Sequence, residues 1–135
     1  MTRSFLDAGV LIAAARGTGV IPARAHAILD DPERSFVTSE YIRMEVLPKA
    51  LYHRQHQEAL LDEMFFSRAV QIVPASASLL MQAYTDACTF GLAALDALHI
   101  AAARFSGAEA FITTERRTKP LFRVTGLAIM TIAPD

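Results

Sequence analysis

The sequence predicts an α/β protein with three layers: helices on both sides of a mainly parallel sheet of four or five strands. Three observations lead there. Short apolar stretches of strand character alternate with segments of helical periodicity along the whole chain, the pattern of repeated βα units. Hydrophobic residues make up 53% of the sequence and are spread evenly, which suits a globular fold and argues against disorder. At 135 residues the chain is long enough to bury a core without covalent staples, and residues 1–135 are expected to form one domain.

The elements follow in order. Ser4–Asp7 reads as a short buried strand around Phe5 and Leu6, Ala8-Gly9 as a turn, and Val10–Ala15 as a helix. Pro22 suits the first turn of a second helix, Ala23–Leu29, which Asp30-Asp31-Pro32 ends. Ser35–Thr38 is a second strand. Ser39 then caps a helix whose Ile42, Val46, Leu47 and Ala50 share one side, and Pro48 is expected to kink or end it. A polar helix, roughly 53–68, precedes a third strand at Val70–Val73. Ser76 or Ser78 starts a helix that Gly91 terminates. Leu92–Phe105 is a further helix, Ala110–Thr113 a fourth strand, and Leu127–Ile132 a last strand beyond the break at Pro120. Right-handed crossovers bring the strand C-terminal ends to one edge, where sheets of this kind carry their sites.

Several function classes drop out. No apolar run has membrane-spanning length, and Ala8–Ala15 is too short and wrongly flanked for a signal peptide. Cys88 is the only cysteine, so neither a disulfide framework nor a Cys-type zinc site is available, and the default expectation is a cytoplasmic protein. The six glycines are scattered and form no phosphate loop. A phosphate-accepting receiver domain needs a second acid near the first strand and a lysine after a late one. A haloacid-type phosphatase needs an Asp where Gly9 stands. A net charge of −1 excludes gripping nucleic acid by overall charge, but not by a local patch. Arg116, Arg117, Lys119 and Arg123 form such a cluster; a solvated basic loop is the plain alternative.

Four carboxylates stand out. Asp7 closes the apolar run of the first strand without a basic neighbour, and burying an ionised carboxylate is costly unless something pairs with it. It either caps the next helix, or binds a ligand, or both. Glu45 sits at the edge of the apolar stripe of its helix; pairing with Lys49 at i+4 is the simpler alternative. Asp96 and His99 are the only ionisable residues of an otherwise apolar segment, Leu92–Ala103, and at i, i+3 they share a face. A buried Asp–His hydrogen bond competes with a carboxylate aimed into a cleft. Glu115 follows the fourth strand, with a surface ion pair to Arg116 or Arg117 as its alternative. Gathered in one cleft, four acids raise each other's pKa. A hard divalent cation relieves that repulsion and suits all-oxygen ligands, which points to Mg²⁺ or Mn²⁺. Phosphodiester cleavage by water is the chemistry such a site supports, and no covalent nucleophile with an attached base stands out.

The sequence resembles the PIN-domain family in Phe5-Leu6-Asp7-Ala8-Gly9-Val10-Leu11-Ile12, in Ser39-Glu40-Tyr41-Ile42-Arg43-Met44-Glu45-Val46, in Leu95-Asp96-Ala97-Leu98-His99-Ile100-Ala101-Ala102-Ala103 and in Phe111-Ile112-Thr113-Thr114-Glu115. The resemblance covers nearly the whole chain. It implies a metal-dependent ribonuclease with Asp7, Glu45, Asp96 and Glu115 as its acids and Thr113 as the hydroxyl that holds the first of them. Many small PIN proteins are VapC-type toxins of VapBC pairs, which implies an RNA substrate, a homodimer and an antitoxin partner. Two residues depart from the pattern. Glu115 replaces the usual Asp, and Gly9 removes a polar support two residues after the first acid. These departures feed the alternative, a weak or inactive PIN-fold module that only binds RNA or protein. His99 is expected as a buried structural residue, and Leu79, Leu80, Ala83, Ala87, Phe65 and Phe66 as core or a dimer face.

Overall fold

The computed structural model describes residues 1–135. Five strands, β1 (Thr2–Leu6), β2 (Arg34–Ser39), β3 (Gln71–Val73), β4 (Ala110–Thr113) and β5 (Ala128–Thr131), form one sheet in the order β3-β2-β1-β4-β5. Every pairing is parallel. Six helices flank it: α1 (Ala8–Ala15), α2 (Val20–Leu29), α3 (Glu40–Tyr52), α4 (His56–Arg68), α5 (Ala77–Phe90) and α6 (Ala94–Phe105). No single helix is long and apolar enough to cross a membrane.

β1 is the central strand, and its apolar run is explained by burial on both faces. Phe5 registers between Val37 and Phe111, and its ring stacks on Phe111 with centroids 5.5 Å apart. All three residues are fully buried. The small residues of α6, Ala97, Ala101, Ala102 and Ala103, are buried as well, which lets this helix lie close against its neighbours.

The helix starts follow the expected caps. Ser39 Oγ accepts from Ile42 N at 3.2 Å, and Ser76 Oγ, rather than Ser78, accepts from Leu79 N at 3.1 Å. Ser39→Ala is expected to lower stability by about 1 kcal/mol, readable as a lower urea midpoint at unchanged slope. α5 ends at Gly91, whose left-handed backbone (φ 68°) suits glycine.

Other details differ from expectation. Ala8-Gly9 is not a turn but the first turn of α1, because Asp7 caps the helix directly. Pro48 neither ends nor shortens α3. The carbonyl it deprives of a donor belongs to Met44, an exposed residue on the outer side of the helix, where the loss of one bond costs least. α4 starts at His56, after a turn in which Arg54 takes a positive φ of 55°. This helix reads as polar, and Phe65 and Phe66 join the core as one of the two expectations for them has it, but two of its acids, Glu58 and Asp62, are buried as well. Leu79 and Ala83 are core, whereas Leu80 is exposed.

Candidate active site

Asp7, Glu45, Asp96 and Glu115 come from four different elements. Asp7 directly follows β1, Glu45 lies in the helix that β2 leads into, Asp96 is in the first turn of α6, and Glu115 lies just past β4. Parallel strands put Asp7, Glu115 and the start of α3 at the same C-terminal edge of the sheet, and Asp96 is near enough to feel the charges of Asp7, Glu115 and Glu45.

Asp7 is the most fully held. Its Oδ1 accepts from Ala8 N at 2.9 Å, and its Oδ2 accepts from Thr113 Oγ1 at 2.9 Å. Thr113 Oγ1 in turn accepts from Glu115 N at 3.1 Å. One buried hydroxyl therefore ties the first acid to the backbone of the fourth. Thr131 Oγ1 donates to Glu115 O at 2.6 Å and anchors the same loop to β5. Two hydrogen bonds leave further lone pairs on Asp7 for a ligand.

Glu45 pairs with His99, not with Lys49. His99 Nε2 lies 2.8 Å from Glu45 Oε1. A carboxylate only accepts, so Nε2 carries the proton and donates. The alternative bond between His99 and Asp96 is not the one formed. His99 is 1% exposed, and its Nδ1 is buried without a partner. Its partner is 54 positions away, so no local pattern announced it. Glu115 forms no ion pair with the neighbouring arginines; Arg117 leans toward Asp135 at 3.7 Å, both side chains exposed.

The acids feel one another. Burial raises the Asp96 carboxyl above the ordinary 3.8, and the charges of Asp7, Glu115 and Glu45 push it further in the same direction, against the opposing pull of His99. Burial likewise raises Asp7, with Glu45 adding to it, while His99, Thr113 and the Ala8 amide oppose the shift. Repulsion of this kind, at a site built from separate strand ends, is what a bound cation relieves. The donor set is all oxygen, which suits a hard cation such as Mg²⁺ or Mn²⁺. No three acidic, histidine or cysteine side chains stand together as a finished coordination cluster.

Around this edge, Arg116, Arg117 and Lys119 are exposed. Arg116 and Arg117 line an open cleft of about 440 Å³ with Thr118 and Thr131. Arg123 stands apart: its guanidinium donates to Phe90 O at 3.2 Å at the end of α5. Gly9 has backbone that any residue adopts, but a side chain there has no room. A Cβ on Gly9 overlaps Thr114 Oγ1 and crowds Thr114 Cγ2 at 3.3 Å. The space left by the missing side chain is thus filled from the end of β4.

A family model described as PIN domain matches residues 4–125. No curated protein sequence matches the chain. Several solved structures share its fold. VapBC2 from Rickettsia felis, bound to a DNA fragment from its promoter, superposes with a TM-score of 0.70 at 15% identity, covering 96% of this chain and 98% of that one. A toxin–antitoxin complex from Klebsiella pneumoniae gives 0.70 at 22% identity, covering 96% and 97%. VapC20 from Mycobacterium tuberculosis, described as a Sarcin-Ricin loop cleaving toxin, gives 0.62 at 18% identity, covering 80% and 86%.

Proposed function

This chain belongs to the PIN-domain family, and on that premise we propose that it is a divalent-cation-dependent endoribonuclease acting as the toxin of a type II toxin–antitoxin pair. The observation that carries the reading is the gathering of Asp7, Glu45, Asp96 and Glu115 from four separate elements, close enough for the charges of the other three to raise the Asp96 carboxyl. A protein that used these acids only for packing gains nothing from holding them together.

Asp7, Glu45, Asp96 and Glu115 are the residues that would hold Mg²⁺ or Mn²⁺. The cation supplies charge neutralisation at the phosphate and activation of the attacking water. Thr113 fixes Asp7, and His99 orients Glu45. Glu115 is one methylene longer than an aspartate, and the backbone bond from Glu115 N to Thr113 sets how far it reaches. Arg116, Arg117 and Lys119 suit the RNA backbone, which lies beside the acids when the scissile phosphate is in place. Arg123 contributes less directly, through the loop it ties to α5.

The toxin assignment draws on the solved structures of like fold, which include toxin–antitoxin complexes. A homodimer is part of the same reading. Leu80 and Tyr84 of α5 and Leu98 of α6 line a wholly apolar hollow, and Leu80 and Tyr84 are largely exposed; a second copy suits this face.

The test is RNA cleavage by the parent chain with Mn²⁺ and after chelation with EDTA. Cleavage is expected with the cation and none above background without it. Equal cleavage under both conditions overturns the reading, and absence of cleavage under both leaves the non-catalytic RNA- or protein-binding module in its place.

A further inference from the structure

Gly9 and Thr114 come from different elements and fill one space. Gly9 is in the first turn of α1, two residues after Asp7. Thr114 stands between Thr113, which donates to Asp7, and Glu115, whose amide donates back to Thr113. A Cβ on Gly9 overlaps Thr114 Oγ1 and comes within 3.3 Å and 3.4 Å of its Cγ2 and Cβ. The φ of Gly9 is not in the left-handed region, so its backbone does not require glycine. What requires glycine is room for the threonine hydroxyl.

That hydroxyl differs from its neighbour's. Thr113 is fully buried and uses its oxygen between Asp7 and the Glu115 amide. Thr114 is only half-buried and takes part in neither of those bonds. It is held against Gly9, two residues after Asp7, while retaining a donor and two acceptor lone pairs. A short, stiff, β-branched side chain is well suited to hold such a group in one place.

We propose that Thr114 is a positioning residue of the cation site, its hydroxyl ordering a water of the cation's shell beside Asp7, and that Gly9 is glycine to admit it. The proposal rests on the divalent-cation reading above. Partners of this outer kind typically change metal affinity by 10- to 100-fold.

Two measurements test it. The first is a set of melts without cation for the parent, Gly9→Ala, Thr114→Ala and the double variant. Gly9→Ala is expected to lower Tm by roughly 5 °C through overpacking, and the double variant to recover most of that loss. The second is a Mn²⁺ titration followed by the rise in Tm. Thr114→Val keeps the shape and loses the hydroxyl; it is expected to melt like the parent without cation and to need roughly 10-fold more Mn²⁺ for the same rise. Thr114→Ser, which keeps the hydroxyl, is expected to titrate like the parent. A Thr114→Val titration matching the parent's overturns the role, and strictly additive effects in the melts overturn the pairing with Gly9. A parent whose Tm ignores Mn²⁺ overturns the cation reading itself, and this proposal with it.

Discussion

Asp96→Asn is expected to cut cation-dependent RNA cleavage severely and, in the same protein, to raise the melting temperature of the cation-free form. The two effects have one cause. Asp96 is partly buried among Asp7, Glu115 and Glu45, and burial followed by those charges raises its carboxyl. Its place in the first turn of α6 offers some compensation from the helix dipole, which is worth only about 0.3–1 kcal/mol. Asparagine keeps the shape and removes the charge. Without cation the variant escapes both the desolvation and the repulsion. With cation it lacks one of the four proposed ligands.

The pH dependence fixes the sign. A carboxyl raised in the folded state destabilises the protein only when ionised. The penalty is therefore absent below the ordinary 3.8 and develops as pH rises through the raised folded value. The advantage of Asp96→Asn in the melts should accordingly be seen at pH 7.5 and vanish near pH 3.5. Saturating Mn²⁺ should reverse the order, because a ligand at 100 times its Kd adds about 2.7 kcal/mol to the parent. Cleavage should fall roughly 100-fold or more, since the loss of an outer partner alone reaches that range. A variant that cleaves like the parent, or that melts below it without cation at pH 7.5, removes Asp96 from the proposed site.

Asp7 and Asp96 were legible in the sequence because each is an ionisable residue inside an apolar run, where an idle charge is not tolerated. The parallel sheet was legible for a related reason: strands buried on both faces read as continuous apolar stretches, as Phe5-Leu6 and Phe111-Ile112 do. What stayed hidden depends on contacts between distant segments. The bond between His99 and Glu45 joins two helices, and the i, i+4 spacing of Glu45 and Lys49 pointed to a different partner. Gly9 read as a lost polar support because Thr114, which fills its space, is more than a hundred residues away. Pro48 breaks helices in general, but it and Met44, whose carbonyl it leaves without a donor, lie on the exposed side of α3, and the helix continues. The segment of α4 read as a polar helix from its charges, and only the packed fold shows two of its acids turned inward.

Those two acids support a second large effect: Asp62→Asn is expected to stabilise the protein at neutral pH without touching catalysis. Glu58 and Asp62 are i, i+4 neighbours on α4, 8% and 2% exposed. Arg16, at the end of α1 remote from Asp7, meets Glu58 with two contacts of 3.1 Å. Asp62 is left with a buried Oδ2 that has no partner. Burial and then the charge of Glu58 push its carboxyl up to about 6, against a smaller pull from Arg16. The sign again follows from a raised folded value: the stability is whole below 3.8 and is lost as pH rises through about 6. The shift corresponds to up to about 3 kcal/mol at pH 7.5, or roughly 10 °C in Tm. Asparagine cannot ionise, so Asp62→Asn should melt well above the parent at pH 7.5 and together with it at pH 4. An equal advantage at both values would mean that packing, not charge, is responsible. Mn²⁺-dependent cleavage should be unchanged, because α1 separates the pair from Asp7 by about 12 Å of helix. The contrast with Asp96 is then complete in one set of melts: both substitutions relieve a buried charge, but a cation can compensate only the one that faces it.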